Sequence, residues 1–348
     1  MIRGDIRSLS AYHVPDSTGM DKLDAMENPY GLPAALRKDW AKSLAGVEIN
    51  RYPDADMAAL RGRIGALDNL SADHVLLGNG SDDIIQMLLI AAEAGPCVVP
   101  EPTFVMYNLI SRWLKRPLAT MPLDKDFSLN ADAFLNVCSR EKAAIAFLAC
   151  PNNPTGNLWP EEAVRKIAQN IRGLLVIDEA YRPFAERTHA DLIKENVLVL
   201  RTFSKLGWAG LRLGYALGDP ELIAQLNKVR LPYNINSLTQ HSANFLLDHM
   251  PVFEAQAAEI RHERERVYKA MGALDGLHVF PSQANFLLFR LTGKGQDAAT
   301  VFEALKAHGV LIKNMHGQNG LLAQCLRVTI GSPDENGRFL KALKEILA

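Results

Sequence analysis

One lysine set among hydroxyls, small residues and an arginine is the stretch best equipped for chemistry: Arg201-Thr202-Phe203-Ser204-Lys205-Leu206-Gly207-Trp208-Ala209-Gly210-Leu211-Arg212. The apolar run Val197-Leu198-Val199-Leu200 precedes it, so the amine emerges at the end of a buried strand. An amine in that position can attack a carbonyl. The neighbouring hydroxyls, glycines and Arg212 suit a phosphate. A solvated Ser-Lys turn followed by an ordinary surface arginine would look the same over this stretch alone.

The cofactor that offers an aldehyde and a phosphate together is pyridoxal 5'-phosphate (PLP), held by a lysine as a Schiff base. Such a site needs further parts, and they occur in order. Leu174-Leu175-Val176-Ile177 runs into Asp178-Glu179-Ala180-Tyr181. An acid directly after an apolar strand is costly without a partner, and a pyridine nitrogen kept protonated by Asp178 is one. A metal at Asp178 ranks behind, because no GxxxxGK[ST] loop accompanies it, and no metal is expected. The strand around 143–148 ends in Pro151-Asn152-Asn153-Pro154-Thr155-Gly156, whose prolines fix the turn and present the Asn153 amide. His74-Val75-Leu76-Leu77 leads into Gly78-Asn79-Gly80-Ser81-Asp82-Asp83, where a helix start offers free N–H groups to a phosphate, or Ser81 is simply an N-cap. Tyr107 follows the strand Cys97-Val98-Val99-Pro100 and could stack on a flat ring or belong to the core. Arg327, in the apolar strand Cys325-Leu326-Arg327-Val328-Thr329-Ile330, calls for an anion, either a ligand or a structural acid.

These residues must be positioned by an alternation of apolar strands and helices from about 74 to 230, which predicts an α/β domain with a mostly parallel, doubly wound sheet. Polar motifs then follow the carboxyl ends of strands, where open α/β sheets bind ligands, so Asn153, Asp178 and Lys205 should converge. Helices are expected near 33–44, 57–66, 238–248 and 253–274, and a second unit carries strands near 284–291 and 325–330 with helices near 297–308 and 335–347. The division is an arm and helix at 1–45, a large domain at 46–235 and a small α/β domain at 236–348 that the N-terminal arm joins. Glu263-Arg264-Glu265-Arg266 reads as a solvated helical face.

Composition sets the outer bounds. A chain of 348 residues, 48% hydrophobic and with net charge -1, has a large core and no general field for nucleic acid or an acidic membrane. Cys97, Cys138, Cys150 and Cys325 are widely spaced in apolar surroundings, as buried thiols of a reducing compartment would be. The N-terminus carries no signal-peptide core and the apolar runs are too short for a membrane span, so a cytoplasmic enzyme of small molecules is expected.

The ordered set resembles the fold-type I PLP-dependent aminotransferases, and within them the histidinol-phosphate aminotransferases. Its carriers are Asn28-Pro29-Tyr30-Gly31, Arg51-Tyr52-Pro53-Asp54, the Gly78 to Asp83 turn, Pro151 to Gly156, Asp178 to Tyr181, Ser204-Lys205 with Arg212, Ala284-Asn285-Phe286 and Leu326 to Gly331. The resemblance implies amino transfer between L-histidinol phosphate and 2-oxoglutarate, giving glutamate, in histidine biosynthesis. It makes Lys205 the Schiff-base lysine and proton carrier, with Asp178 on the ring nitrogen. Asn153 and Tyr181 would bond the ring oxygen, and Tyr107 would stack. Gly80, Ser81, Asp82, Thr202, Ser204 and Arg212 would hold the cofactor phosphate. Tyr52 would come from the partner of a homodimer, and Tyr12, Asn28, Lys313 and Arg327 would hold the substrate. Two departures stand out: the Lys205 to Arg212 spacing is one residue short, and Lys313 replaces the family's arginine, losing its bidentate fork. A PLP-dependent decarboxylase of an amino acid phosphate such as threonine phosphate, or an aromatic aminotransferase, would share nearly every cofactor residue.

Overall fold

The computed structural model describes residues 1–11, 14–293 and 297–348. In chain order its strands are β1 (Asp21–Lys22), β2 (Val75–Asn79), β3 (Cys97–Glu101), β4 (Leu118–Pro122), β5 (Ile145–Ala149), β6 (Leu174–Asp178), β7 (Val197–Thr202), β8 (Leu213–Leu217), β9 (Leu277–Val279), β10 (Phe286–Leu291), β11 (Val310–Leu311), β12 (Lys313–Asn314) and β13 (Cys325–Thr329). Seven form the main sheet in the order β2-β8-β7-β6-β5-β3-β4. From β7 to β4 the pairing is parallel.

The apolar runs become central strands because both of their faces find a partner layer. Ala146, Leu148, Leu175, Ile177, Val197 and Val199 join one buried cluster, whereas Ile145, Phe147, Val176, Leu198 and Leu200 join another. The alternation is the period-two pleat of a strand carried through three neighbours. Each of the larger side chains contributes about 1.5–3 kcal/mol by leaving water, and Val199→Asp, at 0% exposure, would put an unpaired charge between the layers.

β8 is antiparallel to both β2 and β7. Its insertion has a geometric consequence: β2 still runs in the direction of β7, so the Gly80 turn opens at the same sheet edge as the Lys205 loop. The start of β8, just after Arg212, lies at that edge too. The second sheet, β12-β13-β10-β9, is antiparallel and is packed by the helices Met250–Gly272, Ala298–Ala307 and Pro333–Leu347. Asp297 and Ser332 start the latter two helices, Ser332 with Glu335 as a reciprocal capping box. β1 pairs in parallel with β11, so the N-terminal arm is fastened to the C-terminal unit.

Three features differ from the sequence expectation. β4 is an edge strand with an exposed side and a terminal proline, so it lacks the apolar signature of its neighbours. The helix Ala131–Glu141 buries little beyond Ala131, Phe134 and Cys138 and has a polar remainder. Finally, Glu263 and Arg264 are not solvated: they are 3% and 5% exposed. Glu263 accepts from Arg266 and Asn336, and Arg264 donates to the carbonyls of Phe184 and Ala284.

Candidate active site

A cavity of about 240 Å³ opens at the sheet edge where β5, β6 and β7 end, and Asn153, Asp178, Thr202, Ser204 and Lys205 all line it. β5, β6 and β7 are neighbours in the sheet, and that adjacency brings together residues separated by many positions in sequence. The N-terminal arm closes another side with Ala25, Met26 and Glu27.

Lys205 sits in a one-turn 3-10 segment (Ser204–Leu206) ended by Gly207 at φ 119°. Its Nζ donates to the carbonyl of Ala25 at 3.2 Å. Burial, reinforced by the positive charge of Arg327, lowers the amine to about 8. About a tenth of the amine is therefore neutral at pH 7, far more than for an ordinary lysine, which helps a nucleophile or proton carrier.

Asp178 is 3% exposed. Its Oδ2 accepts from the Tyr107 hydroxyl at 2.7 Å and its Oδ1 from the Ala180 N–H at 3.0 Å. Burial raises the carboxyl to about 6 although both hydrogen bonds oppose the shift. Asn153 donates through Nδ2 to the Tyr181 hydroxyl at 3.0 Å and accepts from Arg327 Nη1 at 2.5 Å. The second Arg327 nitrogen donates to the Asp24 carbonyl at 3.0 Å, and its guanidinium lies 5.2 Å from the centre of the Phe286 ring. Arg327, Asn153 and Tyr181 thus form a continuous chain that links the second sheet and the arm to the cavity lining.

Ser81, Asp82 and Arg212 line the same cavity in an arrangement suited to a phosphate. Gly80, at φ 81°, is the N-cap of the helix Ser81–Ala91, so Ser81 is its first residue and not the cap. A Cβ at Gly80 would lie 2.5 Å from Arg212 Nη2, and one at Gly214 would lie 2.5 Å from the Ser81 nitrogen. At Gly214 the close atoms are backbone, so only hydrogen lets β8 meet the turn, and at Gly80 the positive φ favours glycine. Arg212 is half exposed, 3.9 Å from Asp82. Asp82 is raised by burial against the pull of Arg212 and Lys205, and its buried Oδ1 has no hydrogen-bond partner among the described residues. Thr202 donates to Ser204 Oγ at 2.9 Å and accepts from the Ser204 N–H at 3.1 Å, holding both hydroxyls at the cavity wall.

Several expected residues lie elsewhere. Tyr107 does not face the cavity: it is 0% exposed and stacks on Phe147 at 4.6 Å. The aromatic on the cavity wall is Phe104, one helical turn earlier and edge-on to Tyr107 at 5.5 Å. The sequence marks Tyr107 as a candidate for the ring but does not show which of the two aromatics, Phe104 or Tyr107, faces out. Asn28 is engaged away from the cavity, donating to the Leu206 carbonyl at 3.1 Å and to Gln256 at 3.1 Å, so it ties the arm to the Lys205 loop. Lys313 lies opposite Arg327 in the β12–β13 register. Tyr52 is 81% exposed and stacks on Tyr233, outside the cavity of its own chain. Tyr12 lies outside the described residues. Ala25 and Glu27 were missed, because nothing local in a polar arm marks which residues will cross a distant sheet edge.

Residues 19–343 match the family described as aminotransferase class I and II. The chain belongs to that family. It is 48% identical to histidinol-phosphate aminotransferase 2 of Cupriavidus pinatubonensis, covering 98% of this chain and 95% of that protein. It is 49% identical to histidinol-phosphate aminotransferase 1 of Burkholderia mallei over 99% and 97%. Among solved structures, histidinol-phosphate aminotransferase from Sinorhizobium meliloti in complex with pyridoxal-5'-phosphate superposes with TM-score 0.88 at 26% identity, covering 99% of this chain and 97% of that one.

These residues fit PLP. The buried amine, the buried carboxylate with room beside it and the glycine-Arg212 cradle occupy one cavity, and together they match an aldehyde, a ring nitrogen and a phosphate. Among the described residues no cluster of three or more His, Cys, Asp or Glu could hold a metal, and no helix is long and apolar enough to cross a membrane.

Proposed function

We propose that this aminotransferase moves the amino group of L-histidinol phosphate to 2-oxoglutarate, using PLP, as a step of histidine biosynthesis. The observation that carries the mechanism is the shared cavity of Lys205 and Asp178. The near-complete coverage of relatives bearing that activity supports the substrate. When bound, PLP supplies an aldehyde for attachment and a ring that accepts the electron pair left at the substrate carbon. Asp178, as carboxylate, holds the proton of the ring nitrogen. Lys205 takes the substrate's α-proton and returns it to the carbon on the other side of the transferred nitrogen, a task for which an amine depressed to about 8 is suited. Asn153 and Tyr181 hold the ring oxygen. The N–H groups of Gly80, Ser81 and Asp82, the hydroxyls of Thr202 and Ser204, and Arg212 hold the phosphate. Phe104 covers the ring face in place of Tyr107.

Arg327 anchors an anionic end of the substrate, with Lys313 beside it in the same register. Its bond to Asn153 makes occupancy of that anchor felt at the ring-oxygen site. Ile49, Tyr52, Leu231, Tyr233 and Leu238 form an exposed apolar set on this chain. They support a homodimer in which Tyr52 enters the partner's site. Four free, buried cysteines support a cytoplasmic setting.

Mixing the yellow holoenzyme with L-histidinol phosphate should bleach its visible absorption, and 2-oxoglutarate should restore it while glutamate appears. Carbon dioxide release from threonine phosphate without any keto acid, or equal bleaching by phenylalanine, would overturn the substrate assignment.

A further inference from the structure

We propose that Tyr107 is a positioning residue for the cofactor: its hydroxyl holds Asp178 as an oriented carboxylate while its ring braces Phe104, so one buried side chain sets both an edge contact and a face contact of the pyridine. The proposal rests on the pairing of Asp178 with the ring nitrogen.

Tyr107 touches the cavity nowhere, yet it contacts two groups that do. Its hydroxyl donates to Asp178 Oδ2 at 2.7 Å, the short range of a bond to an ionised acceptor. Its ring is fixed from both sides, stacked on Phe147 at 4.6 Å with planes 17° apart and edge-on to Phe104 at 5.5 Å and 86°. Packing alone would be met equally well by phenylalanine. A phenol at 0% exposure needs an acceptor, and Asp178 provides it.

The bond has a direction that matters. Asp178 receives one donor on each oxygen, Tyr107 on Oδ2 and the Ala180 N–H on Oδ1. Both donors favour the ionised form, the form able to accept a proton-bearing ring nitrogen. They work against burial, the largest influence on this carboxyl, and against the nearby negative charges of Asp82 and Glu179. The ionisable groups around Asp178 are Tyr107, Tyr181, Asp82 and Glu179, with Lys205 across the cavity. Tyr107 and Tyr181 are pushed up, chiefly by burial, and stay neutral, so Tyr107 is the hydroxyl donor on the carboxylate. Without it the carboxyl gives up its charge at a higher pH, and the carboxylate plane loses the contact that fixes its rotation.

The decisive experiment is a double-mutant cycle on PLP affinity, measured by titrating apoenzyme with PLP between pH 6 and 8. Tyr107→Phe, which keeps the ring stack, should weaken PLP binding on the order of tenfold at pH 7, the loss of one hydrogen bond to a charged group, and more toward pH 6. In an Asp178→Ala background the same substitution should change affinity less than about twofold, because its target is gone. Unchanged affinity in Tyr107→Phe, or an equal loss in the Asp178→Ala background, would overturn the proposal. An Asp178→Ala apoenzyme that binds PLP normally would instead overturn the pairing of Asp178 with the ring, and the role of Tyr107 with it. If Tyr107→Phe also lowers the melting temperature of the apoenzyme, the comparison across the Asp178→Ala pair still decides, since a purely structural loss would appear in both backgrounds.

Discussion

Asp178 and Glu179 are consecutive residues at the end of one strand, both almost wholly buried, and their fates are opposite. Asp178 is raised to about 6, chiefly by burial. For Glu179 burial acts in the same direction, but hydrogen bonds from His189 and Thr188 and the charge of Arg201 outweigh it and hold the carboxyl below its ordinary value. Arg201 in turn bonds Asp68 at 2.5 Å and Thr188 at 2.8 Å. One acid is thus enclosed by donors, while the other keeps a side open to a cavity. The cavity bordered by Glu179 and Arg201 is the larger, at about 460 Å³ against 240 Å³. Size therefore does not mark the site; unspent bonding capacity beside a nucleophile does.

The comparison breaks most sharply at Lys205. Removing the amine as Lys205→Ala should cut transamination by roughly 10⁴-fold, the upper range for a proton carrier. The melting temperature of the apoenzyme should hold or rise, because a buried cation with a lowered pKa is itself destabilising. Single-turnover spectroscopy with L-histidinol phosphate measures the first and calorimetry the second. A rate within tenfold of the native enzyme would show that the open side of Asp178 faces the wrong group.

The rear cluster should behave in the reverse way. Glu179→Ala leaves Arg201 buried with one of its two acidic partners and should cost about 3–5 kcal/mol of stability. PLP affinity, measured at a temperature where the variant is folded, should change little. Equal losses in both measurements would mean that the two faces of the strand end are one functional unit.

This division was only half legible in the sequence. Asp178, Asn153 and Lys205 could be placed because each directly follows an apolar strand, and adjacent parallel strands deliver their ends to one edge. Glu179 carries the same local signature as Asp178, and its partners Thr188, His189 and Arg201, like the Asp68 that shares Arg201, come from other segments. The Phe104 and Tyr107 exchange has a similar origin, since both are aromatics at a helix start and only packing against Phe147 decides which turns inward. Asn28 was visible as a polar arm residue, yet its bond to the Leu206 carbonyl depends on where the arm crosses the Lys205 loop. Charge patterning misled at Glu263 and Arg264, where a charged helical run hides two buried groups.

A smaller effect sharpens the comparison through pH. A carboxyl raised in the folded state stays protonated where the unfolded chain has already ionised, so the folded form binds more protons between about 3.8 and 6. Ionising Asp178 therefore removes apoenzyme stability as pH rises through that window, by up to about 3 kcal/mol for a shift of this size. Glu179, lowered in the folded state, contributes stability that is present above its unfolded value near 4.5 and is lost as pH falls through its folded one. Asp178→Asn should accordingly stabilise the apoenzyme above pH 6, by roughly 1–3 kcal/mol, and flatten its acid-to-neutral slope. Glu179→Gln should destabilise it over the same range. Urea unfolding of the apoenzymes at pH 5 and 7 separates the two, and a native-like slope in Asp178→Asn would show that this carboxyl finds in the apoenzyme a partner as good as those of Glu179.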